Sequence, residues 1–234
     1  MRSKPSAVGI QSVKLAVVGD MAYRWEPLPS SMKGRVVNTR EIPLKDAIRT
    51  VPFWCILLTI FFYNATWNML NPIIRPLGEE RGLTSALALT CVSLTGVFNA
   101  AGRFSMSALS DKLGRVETNV LLCVITIVCA LLLMFVGGYA YIVVVMITAF
   151  AFGGPSAINP ATTTDFFGAK YTGTNYGVAM LSLGFSSILF NSISNALVKS
   201  TGKYAMTFVM GAITAAITIV LQMVMKNYKK KMNS

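Results

Sequence analysis

Arg103 is the one charged side chain set deep in an otherwise uncharged apolar stretch, and Cys91, Thr95 and Asn99 precede it at intervals of four residues. That spacing places all four on a single stripe of an α-helix. An arginine beside an amide is suited to one kind of chemistry, because its planar fork donates two parallel hydrogen bonds to a carboxylate. A charge near the centre of a bilayer costs roughly 2.5–3.5 kcal/mol on insertion scales, so such an arginine faces a cavity or a partner, or else snorkels to the headgroups. Sequence leaves both placements open. Asp111 lies only about 12 Å of helix rise away, which favours snorkelling, whereas Asn99 one turn deeper extends the polar stripe inward.

Other polar residues fall on comparable stripes. Asn64, Trp67, Asn68 and Asn71 crowd one apolar segment, while Ser187, Asn191 and Asn195 recur at intervals of four in another that also holds Tyr176 and Ser182. Amides in such surroundings point into a helix bundle, where they contact a substrate or hydrogen-bond between helices. Asn64-Ala65-Thr66 is formally a glycosylation sequon, but its apolar setting makes modification unexpected. Just beyond Arg103, Asp111, Lys112 and Arg115 form a charged cluster ending "DKLGR".

Several chemistries are excluded. There is no histidine, and the nine Asp/Glu residues all fall outside the apolar segments. A proton relay at membrane depth normally uses such a group, so a cationic cavity without one favours anion binding and exchange over proton pumping. Cys55, Cys91, Cys123 and Cys129 have no paired spacing in a loop and read as small apolar residues rather than a disulfide framework. No metal site, cofactor site or enzymatic nucleophile and base converge anywhere in the sequence.

The elements that must position these residues follow from composition. The 234 residues are 54% hydrophobic and only 13% charged, against about 25% charged in soluble domains. Low-charge windows predict six spans, at about 51–72, 84–107, 118–138, 139–160, 173–198 and 204–225, each of a length to cross the bilayer as a helix. Gly137-Gly138 separates the third and fourth as a tight hairpin. A polar segment, 1–45, precedes the six-helix region, 46–226, and a basic tail, 227–234, follows it. The leading segment lacks the pattern of a cleavable signal, and its "LAVVGD" patch lacks the spaced glycines of a dinucleotide fold.

The net charge of +12 is placed as a membrane protein would place it, not a nucleic-acid binder. With both termini cytoplasmic, seventeen Lys/Arg lie on that side, leaving only Arg75, Arg81, Lys199 and Lys203 opposite. This satisfies the positive-inside rule, and the "KNYKKK" tail suits anionic lipid headgroups.

Asn71-Pro72 and Asn159-Pro160 take matching places in two groups of three helices that face opposite sides. That predicts a 3+3 inverted repeat whose Gly/Pro-interrupted helices line a central path. Gly153, Gly154 and Pro155 mark either a bend in the fourth span or close helix packing.

The stretch "GRFSMSALSDKLGR" resembles the helix-end and loop motif of the major facilitator superfamily. With "PLKDAIRTVPFW" and "PATTTDFFGAKYTGTNYG" it is similar to the carboxyl-terminal half of the oxalate/formate antiporter family, kin of the monocarboxylate carriers, over about residues 43–226. The resemblance implies an all-α polytopic protein that is half of a twelve-helix fold, with Arg103 pairing with a substrate carboxylate. Asn99, Asn64, Asn68, Trp67 and Tyr176 would complete the substrate site, and Asp111, Gly114, Arg115 and Pro160 would gate it. Two departures matter. The proton-linked carriers have an aspartate where this chain has Asn99, and the lysine that the oxalate exchanger carries on its eleventh helix has no counterpart in 173–198.

The expected function is transport of a small organic anion, such as oxalate, formate or another monocarboxylate, by alternating access and exchange. A second six-helix half would come from an amino-terminal half-transporter or a homodimer. The alternative is a split or truncated product acting only as a membrane interaction module.

Overall fold

A computed structural model describes residues 17–18, 21–22 and 41–233. The chain divides into two units at residues 36 and 37, and each is described by itself. In the first, strands β1 (Val17–Val18) and β2 (Met21–Ala22) pair antiparallel, Val17 opposite Ala22 and Val18 opposite Met21. Of the expected polar segment 1–45, the remaining residues up to 40 lie outside the described residues.

The second unit is helical: α1 (Leu44–Ala47), α2 (Val51–Leu70), a 3₁₀ turn (Asn71–Ile73), α3 (Ile74–Glu80), α4 (Ser85–Leu113), α5 (Arg115–Leu132), α6 (Gly138–Phe167), α7 (Thr172–Thr201) and α8 (Ala205–Asn233). Among the described residues, six helical stretches are long and apolar enough to cross a membrane, α2 and α3 counting as one through the 3₁₀ turn.

The helices outrun the expected spans. Pro72 does not end the first, because the chain tightens into the 3₁₀ turn and resumes to Glu80. Pro155 and Pro160 both sit inside α6, which continues to Phe167 rather than stopping at residue 160. A proline inside a helix leaves the carbonyl four residues back without its backbone donor, and opposite Pro155 the Tyr63 hydroxyl supplies one to Ala151 O. The third span is shorter than expected at its far end: α5 stops at Leu132, and residues 133–137 turn back. Arg81 fixes that turn by donating to the carbonyls of Met134 (2.9 Å) and Val136 (3.0 Å), while its own carbonyl accepts from Gly138 N.

Two of the helix ends are glycines with positive φ. Gly114 (φ 106°) separates α4 from α5, and Gly202 (φ 67°) ends α7, a conformation open to glycine at little cost. Gly114 and Gly202 are separated by the same number of residues as Asn71 and Asn159, so landmarks at two levels share one repeat.

Packing repeats as well. α2 packs chiefly on α7 and α8, and α6 on α4 and α5; exchanging the first three spans with the last three turns each pair into the other, while α5 and α8 pack on each other. α2 and α6 are the most buried spans and α4 and α7 the least. The α4–α6 crossing is the closest, since a Cβ at Gly102 would land on the carbonyl oxygen of Phe150 and one at Gly153 on that of Asn99. Gly153 therefore serves close approach. Buried hydroxyls and amides tie the remaining helices: Thr66 Oγ1 donates to Gly211 O at 2.9 Å, and Gln222 Nε2 to Thr59 Oγ1 at 3.0 Å, both between α2 and α8.

Candidate functional site

The two central helices present matched faces to one cavity. Ile60, Tyr63, Asn64 and Trp67 of α2 and Phe152, Pro155, Ser156 and Asn159 of α6 line it, in both cases at positions i, i+3, i+4 and i+7. That spacing is one face of a helix. Arg103 enters from α4, and Tyr176, Met180 and Leu183 from α7, enclosing about 360 Å³. Arg103 is the only charged residue among these.

Arg103 is exposed on the bundle and its Nε donates to Asn99 Oδ1 at 3.1 Å. The bond uses one edge of the guanidinium and leaves its terminal nitrogens to a ligand. Arg103 is among the residues that line the cavity. Asn99 is not among the lining residues and touches the cavity's lining through its bond to Arg103. The equivalent positions one repeat later are Ser187 and Asn191, which make the corresponding one-turn bond, Asn191 Nδ2 to Ser187 Oγ at 3.3 Å.

Part of the lining is aromatic. Phe152 stacks on Trp67 with ring centroids 4.9 Å apart and an interplanar angle of 12°, and lies parallel to Tyr63 at 6.3 Å and 2°. Tyr63 is buried and its hydroxyl donates to Ala151 O at 2.8 Å. Asn64 borders the cavity while its Nδ2 bonds the Ile60 carbonyl at 2.6 Å. Asn68, expected beside it, turns to α7 instead and donates to Ser186 Oγ at 3.4 Å.

Sequence reasoning had not assigned Tyr63, Phe152, Ser156 or Asn159 to the site. The signal was available in the shared i, i+3, i+4, i+7 pattern on the two Asn-Pro helices.

The residues expected to gate cluster at the helix ends below. Arg115 grips Asp165 of α6 with two bonds, Nε to Oδ2 at 2.7 Å and Nη2 to Oδ1 at 3.4 Å, and both side chains are 13% exposed. Asp111 stands 3.9 Å from the same guanidinium. Gly114 sits at the turn between them, where a Cβ would run into the Glu117 carboxylate. Glu117 itself pairs with Lys226 of α8 at 3.0 Å. Pro160 lies a turn above Asp165, half-buried, and its carbonyl accepts from Thr164 Oγ1 at 3.1 Å. The segment before α1 joins this end: Ile42 N donates to Phe167 O, Asn175 Nδ2 to Ile42 O, and Lys170 N to Glu41 Oε2.

No group of three or more Cys, Asp or Glu side chains could hold a metal among the described residues. All four cysteines are buried free thiols.

A six-span bundle with an internal repeat and a cavity between its central helices has the architecture of one class of multi-pass membrane protein, the secondary transporters. Residues 7–191 match the family model of the Major Facilitator Superfamily, and the chain belongs to that superfamily. It is 28% identical to the oxalate:formate antiporter of Oxalobacter formigenes over 217 residues, 92% of this chain and 51% of the antiporter. To the uncharacterized MFS-type transporter YhjX of Escherichia coli K12 it is 26% identical over 188 residues, 77% of this chain and 46% of that protein. A crystal structure of the E. coli fucose:proton symporter shares the fold, with a TM-score of 0.65 at 15% identity over 77% of this chain and 44% of the symporter chain. The chain thus spans about half the length of the curated relatives it matches. These relatives are transporters or antiporters, not enzymes.

Proposed function

We propose that this chain is one six-helix half of an organic-anion transporter in which Arg103 holds the substrate carboxylate. The observation that carries the reading is the cavity itself, where one guanidinium with free terminal nitrogens faces a stacked aromatic wall and no carboxylate competes for it among the lining residues. A single cation matches a single carboxylate. The favoured substrate is therefore a small monocarboxylate such as formate or a larger homologue, whose remainder rests against Trp67 and Phe152. Likeness to an oxalate:formate antiporter supports exchange as the mode of coupling.

A second bundle would close the cavity and rock against this one. Its supports are α4 and α7, the least buried spans, whose Gly96, Gly173, Gly177 and Gly184 have open space where a Cβ would be. Small residues on a helix face allow another helix to approach closely in lipid. The partner is an amino-terminal half-transporter or a second copy. Both termini lie on the cytoplasmic side in this reading, since the end that holds Lys112, Arg115, Lys170 and Lys226 is the more basic one.

The test is labelled-anion exchange in proteoliposomes that hold the chain alone or with an amino-terminal half, against a panel of mono- and dicarboxylates. Saturable exchange of a monocarboxylate, lost in Arg103→Ala and poorly restored in Arg103→Lys, is expected. Exchange that survives Arg103→Ala in correctly inserted protein would overturn the assignment. No exchange under any pairing would instead favour a membrane interaction module.

A further inference from the structure

Helices α5 and α8 pack on each other, and each keeps an apolar stripe exposed. On α5 it runs through Leu121, Val124 and Val128, and on α8 through Val220, Met223 and Val224. These spacings put each set on one face of its helix. In a bundle that spans a bilayer, such faces meet acyl chains.

Both stripes end at one charged cluster. Glu117 stands one turn before Leu121, Lys226 two residues after Val224, and the two side chains pair at 3.0 Å, so the ends of the stripes lie side by side. Lys229 is within electrostatic reach of the same carboxylate, and Lys230, next in the chain, is exposed. Three ammonium groups against one carboxylate leave two positive charges unbalanced. The gate residues do not offset them, because Lys112 and Arg115 are matched by Asp111 and Asp165. These lysines are also held in place: α8 continues as helix to Asn233, Met225 is buried, and Tyr228 packs on the core that holds Phe53 and Ile56 of α2.

We infer that the seam of α5 and α8 binds one anionic phospholipid, with its acyl chains on the two stripes and its phosphate on Lys226, Lys229 and Lys230. Two unbalanced charges match a lipid with two phosphates, so cardiolipin should bind more tightly than phosphatidylglycerol, which has one. Glu117 competes with the headgroup for Lys226. Its ion pair is about half exposed on both sides and therefore weak, whereas a phosphate gathers charge-assisted hydrogen bonds from several ammonium groups together. The result is a discrete site, not the diffuse attraction of a basic tail to a charged surface. It rests neither on Arg103 nor on the identity of the transported anion.

Native mass spectrometry of the purified full chain in detergent counts bound lipid directly. Titration with cardiolipin, phosphatidylglycerol or phosphatidylcholine should give a saturable single adduct, strongest with cardiolipin and weakest with the zwitterionic lipid. Lys226→Gln and Lys230→Gln should each weaken cardiolipin binding roughly fivefold. Glu117→Gln, which removes the competitor, should strengthen it about threefold. Lys199→Gln/Lys203→Gln, at the opposite end of the bundle, should leave it unchanged. Phosphatidylglycerol with six-carbon chains should bind poorly, because it covers little of the stripes. Circular dichroism and monodisperse elution verify that each variant is folded. Equal binding of the three long-chain lipids would overturn the proposal, as would weaker binding in folded Glu117→Gln. A loss in Lys199→Gln/Lys203→Gln as large as in Lys226→Gln would overturn it too, since binding would then follow net charge and not this seam.

Discussion

The Tyr63 hydroxyl donates to the carbonyl of Ala151, the carbonyl that Pro155, four residues on and without an N–H, leaves with no helical donor. One side chain of α2 thereby repairs the backbone of α6 at the wall of the cavity. Both residues are buried, so Tyr63→Phe should cost about 1–3 kcal/mol by orphaning the carbonyl. Restoring a donor from within α6 should relieve that cost. In a Pro155→Ala background Tyr63→Phe is expected to be close to neutral. Unfolding in detergent micelles measures both, and equal costs in the two backgrounds would show that the bond does not serve this purpose.

That pair marks the boundary between what was legible in the sequence and what was not. The six spans and the stripe through Asn99 and Arg103 follow from local apolarity and four-residue spacing, which depend on no distant residue. Whether Pro155 ends a helix depends on a donor from elsewhere, the Tyr63 hydroxyl of α2, which nothing near the proline in sequence reveals. The same holds for Asn68, whose amide looked equivalent to that of Asn64 until Ser186 on α7 claimed it. Asp165 was one more loop carboxylate until Arg115, on a different helix, reached it.

The bidentate Arg115–Asp165 pair holds the start of α5 to the end of α6. Both side chains are largely buried, and removing one partner leaves the other charge poorly compensated despite Asp111 nearby. Asp165→Asn should therefore destabilise the bundle by about 2–3 kcal/mol, more than an exposed ion pair would. A double-mutant cycle with Arg115→Gln should return a coupling of at least about 1 kcal/mol. A coupling near zero would mean that the two residues act separately.

The depth at which Arg103 sits is set by glycine. A Cβ at Gly153 would strike the Asn99 carbonyl and crowd the Arg103 backbone nitrogen, whereas one at Gly96, on the same α4, meets nothing within 4 Å. Gly153→Ala should cost about 1–3 kcal/mol through overpacking and weaken anion binding as α4 is displaced. Gly96→Ala should stabilise the isolated bundle by up to about 1 kcal/mol through helix propensity. Thermal unfolding compares the two, and a neutral Gly153→Ala would show that the crossing can open freely.

Asn99 keeps Arg103 available because its neutral amide orients the guanidinium without cancelling the charge. Asn99→Asp would keep the geometry and reverse the electrostatics. The new carboxylate, one turn from Arg103, would pair with it and compete with the substrate, so anion affinity near neutral pH should fall at least about tenfold. Protonating that carboxylate removes the competitor. Affinity in the variant should then rise as pH falls, because the anion and the proton favour each other's binding through the shared arginine. The parent protein, with an amide that does not titrate, should show no such dependence above the substrate's own pKa. Anion binding measured across a pH series in both proteins decides the matter, and parallel pH profiles would mean that Asn99 does not control the charge at Arg103.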